Sequence, residues 1–292
     1  MDNQPIATPT PTPTPTVQSS VPVAANQPVA TSNSAVSLDG VESSFSDYLV
    51  HKWYILVAII ILMGGFFLVN PVISIVILVA GSYYFKSAYE NNLFAAFAKA
   101  NNFNYDHNGG IGPQAGLIFT IGHSQKSQDL VSGNYKNWPF QLYIYDYTVG
   151  YGRDQHTYNR AVFSVNFSIT TPVFLLRRHK RFPILTEEGE SLKSHGYTQK
   201  LGLEGNFDDH FQVFIQPNSQ VEVLTVLTPN VMEVLLSLDK YEIELTANGV
   251  LYIYTPKYIT KKQELIEVYQ IVEALTDTIS HFVEQQKLLG KV

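Results

Sequence analysis

Phe140–Thr148, FQLYIYDYT, and Ala161–Ile169, AVFSVNFSI, decide how this chain folds. In the first, Leu142 and Ile144 fall on one side of an extended strand, and Tyr143, Tyr145 and Tyr147 on the other. In the second, Ala161, Phe163, Val165, Phe167 and Ile169 make an unbroken period-2 face. Gly150-Tyr151-Gly152-Arg153-Asp154 supplies a turn between them, and Lys136-Asn137-Trp138-Pro139 another upstream. Leu117–Gly122 and Leu130–Tyr135 read as further short strands, so the expectation is an antiparallel meander. Downstream, Val173–Leu176 reads as a strand and residues 186–206, rich in Gly, Ser and charge, as a flexible insertion. A second sheet-and-helix unit then begins at Phe207. Phe211, Val213 and Ile215 alternate, and Thr228-Pro229 starts a helix as N-cap and first helical residue. Tyr241–Thr246 and Val250–Thr255 flank Ala247-Asn248-Gly249, a strong hairpin signal. A helix of about 260–289 closes the chain, with Leu265, Val268, Val272, Leu275, Ile279 and Phe282 at spacings of three and four. Ile266, Tyr269 and Ile271 widen that stripe, which favours packing on the sheet over a coiled-coil dimer.

Upstream of the sheet the pattern changes. Trp53 to Phe85 carries no charge, and Lys52 and Lys86 bracket it. One continuous helix over this run would be about 50 Å long, against a hydrocarbon core of about 30 Å. Asn70-Pro71 sits near its middle, where proline ends a helix. The expectation is a two-helix transmembrane hairpin over 49–88, with helices at about 53–69 and 72–88. Gly64, Gly65 and Gly81 would let the helices approach, with Trp53, Tyr54, Tyr83 and Tyr84 at the interfaces. Tyr89, Leu93, Phe94 and Phe97 then mark an amphipathic connecting helix over 89–102, ahead of a soluble domain at 103–292. Residues 1–48 form a Pro/Thr-rich tail, built around the repeat Thr8–Thr16, that cannot bury a core and is expected to be disordered. The fold class is thus α+β: disordered tail, transmembrane hairpin, and an antiparallel-sheet domain with a C-terminal helix.

Composition excludes several functions. The 292 residues hold 19 bases and 25 acids, and the first 50 contain no base, which argues against a nucleic-acid binder. The absence of cysteine removes disulfides, zinc ribbons and thiol catalysis. Eight histidines are scattered without a metal-binding spacing, and Asp208-Asp209-His210 reads as a solvated turn. Glycines 109, 110 and 112 lack the Lys-Ser/Thr of a phosphate loop, and Gly122-His123-Ser124 lacks the second glycine of a nucleophile elbow. Asn166-Phe167-Ser168 is a glycosylation sequon on a strand. No metal or cofactor is expected.

Two groups remain as candidates. Arg177, Arg178, Lys180 and Arg181, the densest charge cluster, could contact anionic lipid headgroups. Asp146, Arg153, Asp154 and His156, where two strand ends meet, could form the dispersed active site of an enzyme.

Phe207-Asp208-Asp209-His210-Phe211-Gln212-Val213, followed by Leu227-Thr228-Pro229-Asn230-Val231-Met232-Glu233-Val234-Leu235-Leu236, resembles an uncharacterised bacterial membrane-protein family that carries a domain of unknown function. Its pattern is F-x-x-x-F-x-V, then L-T-P-x-x-M-x-x-L-L and a strand pair, and Gly133-Asn134-Tyr135 with Asp146-Tyr147 is similar to its G-x-Y…D-Y motif. The resemblance covers about 115–260 and implies N-terminal transmembrane helices before an α+β domain, with no catalytic residues to carry over. The Pro/Thr tail and the 186–206 insertion depart from it. The expected function is a membrane-anchored, non-enzymatic protein whose domain binds a protein partner or the inner leaflet. Homo-oligomerisation stays open. Lys52, Lys86 and Lys99 place the domain in the cytoplasm of a multi-pass inner-membrane protein by the positive-inside bias.

Overall fold

The computed structural model describes residues 36–38, 41, 50, 52–67, 71–179, 192–203 and 205–288. Its strands are β1 (Asn104–Asp106), β2 (His123–Tyr135), β3 (Trp138–Val149), β4 (His156–Asn166), β5 (Phe174–Arg178), β6 (Gln199–Leu201), β7 (Phe211–Ile215), β8 (Glu242–Leu245) and β9 (Val250–Tyr254). Its helices are α1 (Trp53–Phe67), α2 (Pro71–Asn101), α3 (Phe207–His210), α4 (Gln220–Val226), α5 (Pro229–Ser237) and α6 (Lys262–Leu288). All nine strands join one antiparallel sheet in the order β1-β2-β3-β4-β9-β8-β5-β7-β6. The meander β1–β4 and the later strands β5–β7 do not pair with each other. The last hairpin, β8–β9, lies between them and joins them.

Side-chain alternation gives the sheet two unlike faces. Leu142, Ile144, Phe163, Val165, Ile253 and Ile243 point to one of them. There α6 covers them with Leu265, Val268, Val272, Leu275 and Ile279, all fully buried, and α2 adds Leu93, Phe94 and Phe97. Phe282 is only half-buried. Tyr143, Tyr145, Tyr147, Tyr252 and Tyr254 point to the other face. It is covered by irregular chain carrying Leu117, Ile118, Ile121, Leu192 and Tyr197. α5 starts as the sequence predicts, with the Thr228 hydroxyl accepting from Val231 N–H and Pro229 following. The 247–249 turn closes with Gly249 at φ +77°, where a Cβ would meet the Ile169 carbonyl oxygen at 2.3 Å.

The transmembrane hairpin expected over 49–88 is not what the structure holds. Among the described residues, no helix is long and apolar enough to cross a membrane. α1 has 15 residues, which is about 22 Å of helix. α2 has 31 residues, but it runs unbroken past Phe85 through Lys86, Glu90 and Lys99, so its apolar part is only its first half. The expected boundary between a membrane helix and a connecting helix at 88/89 is therefore absent. α2 ends at a left-handed residue, Asn102 (φ +56°), and Phe103 N–H closes the turn on the Ala98 carbonyl.

Three further segments differ from the sequence reading. Leu117–Thr120 is a 3-10 turn, not a strand, because the Leu117 N–H is taken by a side chain beneath it. Within the insertion expected over 186–206, residues 199–201 form β6, and Leu192 and Tyr197 are buried; residues 186–191 lie outside the described residues. Of the expected tail, Val36 and Leu38 pack on the core and Val41 is buried in it, while residues 1–35 lie outside the described residues. Asn101 holds this strap from both sides, its Oδ1 accepting from Ser37 N–H (2.6 Å) and its Nδ2 donating to the Ser37 carbonyl (2.7 Å).

Candidate functional site

Where β9 stops, the sheet opens into a wedge. β9 pairs with β4 only over residues 162–166, and Thr255 N–H makes the last bond, to the Ala161 carbonyl. Pro256 then turns the chain away, having no N–H to continue the ladder. β4 residues 157–160 thus have β3 on one side and no strand on the other. The gap is a cleft of about 480 Å³ lined by Thr157, Tyr158, Asn159, Pro256, Lys257, Tyr258 and Thr260. On the far side of the same loop, a second cleft of about 620 Å³ reaches Lys240, Tyr241 and Glu264.

A carboxylate fixes the polar groups of the first cleft. Asp146, opposite Asn159 in the β3–β4 register, accepts on Oδ1 from Tyr258 OH (2.6 Å) and from Asn159 Nδ2 (2.9 Å). Asn159 Nδ2 also donates to the Tyr258 oxygen, at 3.0 Å. Both amide hydrogens of Asn159 are then used. Among the described residues, nothing donates to Asp146 Oδ2 or Asn159 Oδ1. Beneath the clefts, buried Arg160 donates to the Thr255 carbonyl (3.2 Å) and sits 3.4 Å from Glu242. Lys257 stands at the rim, 3.7 Å from Glu264.

The tyrosine face hides a second carboxyl. Glu244 on β8 is fully buried and accepts from Tyr197 OH on Oε1 (2.6 Å), Tyr254 OH on Oε2 (2.6 Å) and the Leu117 N–H (2.8 Å). Burial pushes its acidity down, so its pKa is raised, against the pull of those three donors. Tyr254 and Tyr197 are raised by the same burial, and Tyr145 is pushed up to about 12. These phenols stay protonated at any physiological pH and act as donors. Gly116 lets the covering chain come this close, since a Cβ there would stand 2.3 Å from the Tyr254 oxygen.

Asp129, fully buried at a β-bulge in β2 with φ +55°, accepts on Oδ1 from Tyr105 OH (2.7 Å) and lies 2.5 Å from His107 Nδ1. His107 is 53% exposed, so a buried carboxylate orients an imidazole that reaches solvent.

The residues singled out from sequence are distributed differently. Arg177 and Arg178 are successive residues at the end of β5 and so point to opposite faces of the sheet. Arg178 lies 3.7 Å from Asp239, which also holds His210 Nδ1 at 3.0 Å. Lys180 and Arg181 lie outside the described residues. Arg153 and Asp154 are exposed on the turn after β3 and His156 at the start of β4, and only Asp146 of that group bonds to residues that line the cleft. Among the described residues no group of acids and histidines is placed to hold a metal. Sequence reasoning missed Tyr258, Asn159 and Glu244. Their partners lie up to 127 residues away, and no spacing signals such a contact.

The chain matches no protein-family model, no curated protein and no solved structure.

Proposed function

We propose that this protein is a membrane-attached binding protein rather than an enzyme, held at a bilayer by α1 and the first half of α2. The observation that carries this is the width of the apolar surface on α2. Between Pro71 and Tyr84 only Ser74, Ile77 and Gly81 are not exposed, and Gly81 faces α1, where a Cβ would stand 3.4 Å from Ile59. Val72, Ile73, Ile75, Val76, Leu78 and Val79 are exposed around roughly two thirds of the helix circumference. A protein partner covers one stripe of a helix, whereas lipid covers every side. Trp53, Tyr54, Tyr83 and Tyr84, also exposed, stand at the ends of the pair nearest Lys52, as interfacial aromatics do. With each apolar helix about 22 Å long, the pair enters the bilayer from one side as a re-entrant element.

The sheet domain is then the recognition part, displayed at the surface. Clefts with oriented polar groups and permanently protonated tyrosines support binding. The test is fractionation of the full chain: it should stay with membranes through an alkaline carbonate wash. Ile61→Asp, Ile75→Asp and Val79→Asp together should release it, since each charge in hydrocarbon costs about 2.5–3.5 kcal/mol. A wild-type chain recovered in the wash would sink the reading. One observation favours a second reading, acid–base catalysis by His107 oriented by Asp129. Asp129→Asn should then abolish a turnover that the wild-type chain shows.

A further inference from the structure

We propose that the wedge between β4 and the 256–260 loop is a binding site for a neutral polyhydroxylated ligand, a saccharide or polyol unit. The cleft's volume of about 480 Å³ lies within the range of about 300–1,000 Å³ typical of small-molecule sites. Its wall carries hydroxyls and an amide that give or take hydrogen bonds, those of Thr157 (shared with Thr148 at 3.1 Å), Thr260, Asn159 and Tyr258, while Tyr158, next to Asn159 in β4, turns to the opposite face of the sheet. A vicinal diol needs that mixture, because each hydroxyl donates once and accepts as well.

The orientation of these groups is set beforehand. Asp146 and the Tyr258 oxygen consume both Asn159 amide hydrogens, which leaves Asn159 Oδ1 and Asp146 Oδ2 as acceptors without a protein donor among the described residues. Asn159 Oδ1, on a residue that lines the cleft, suits a hydroxyl donor of a sugar ring, with Asp146 held behind it. The edge of residues 157–160, with no strand on the β9 side, adds backbone donors and acceptors to the same wall.

Charge decides against other ligands. Asp146, bonded to the lining residues Asn159 and Tyr258, disfavours an anion, and the charge of Lys257 at the rim is balanced by Glu264 at 3.7 Å. A neutral ligand meets no such penalty.

The experiment is saturation-transfer NMR on the full chain in lauryldimethylamine oxide micelles, which carry no sugar. The probes are methyl α-glucoside, methyl β-galactoside, N-acetylglucosamine and myo-inositol, with choline and inorganic phosphate as charged comparators. At least one neutral probe should receive saturation, and its affinity should fall about tenfold or more in Asn159→Ala, the equivalent of about 1.4 kcal/mol. Tyr258→Phe keeps the ring and removes only the hydroxyl that ties it to Asp146, and it should weaken binding by a smaller factor. Both variants replace exposed or partly exposed side chains, and an unchanged thermal midpoint verifies their fold. Transfer to none of the neutral probes overturns the proposal. So does transfer that is unchanged in Asn159→Ala, or transfer to choline or phosphate alone.

Discussion

Glu244 sits beyond the reach of solvent, yet three donors face its two oxygens. Desolvation outweighs them, so its pKa in the folded chain lies above the ordinary carboxyl value of 4.5. Tyr197, Tyr252 and Tyr254 lie around it, and His195 exerts a smaller opposite pull. A raised folded pKa means that the contribution of this group to stability is complete below the unfolded pKa. That contribution is lost as the pH rises through the folded one. Each pH unit between the two values is worth about 1.4 kcal/mol. Glu244→Gln stays neutral at every pH and can still bond to both phenols, one donating to its Oε1 and the other rotating to accept from its Nε2. The gap in thermal midpoint between Glu244→Gln and wild type should therefore widen in favour of glutamine from about pH 4.5 upwards. A gap independent of pH would mean that Glu244 titrates alike in both states.

Among the elements, α6 is the most sharply committed. Leu275 is fully buried at the middle of its apolar stripe, against the face of the sheet. Leu275→Asp places an unpaired carboxylate there and should cost several kcal/mol, enough to remove the cooperative unfolding transition of the domain. Survival of that transition, with a change from dimer to monomer in sedimentation, would show that the stripe serves a coiled coil instead. At the end of α2, Asn101→Ala deletes bonds to Ser37 and Phe97 and should cost about 1–2 kcal/mol, with faster amide exchange at Ser37. Unchanged exchange would mean that the strap is held by Val36, Leu38 and Val41 alone. Elements of this kind were legible where one face buries apolar residues over many positions, as in β3, β4 and α6. Leu117–Thr120 was not, because a four-residue apolar run carries no period, and a buried carboxyl 127 residues away chose its backbone partner. β1 and β6, at three residues each, are too short to alternate visibly. Asp146 was legible as a charge near a turn, but Tyr258, which turns it into part of a cleft, lies 112 residues on. The expected hairpin failed for a related reason: hydropathy marks where an apolar run lies, while helix continuity through Lys86 and Glu90 decided its length.

At the scale of the whole molecule, the apolar pair is tied down at both feet. Val41, before α1, is buried in the same core as Leu93 and Phe94 in the second half of α2, and Asn101 clasps Ser37. Val41 and the second half of α2 thus belong to one packed unit, so in the proposed attachment α1 and α2 would enter a bilayer from the domain's side. Leu68-Val69-Asn70, between α1 and α2 in the sequence, carries no charge. If the attachment is re-entrant, a cysteine placed at Val72 is shielded from an impermeant maleimide on both sides of the membrane. Cysteines at Thr12 and Lys193 share one side with each other. This cysteine-free chain needs only the single introduced thiol. In sealed vesicles of known orientation, Thr12→Cys and Lys193→Cys should label together and Val72→Cys should label only after detergent. Labelling of Val72→Cys from the side opposite Lys193→Cys would show that the tip crosses the bilayer. Labelling of Thr12→Cys and Lys193→Cys from different sides would break the two-footed arrangement, because residues 36–41 and 101 could not then meet.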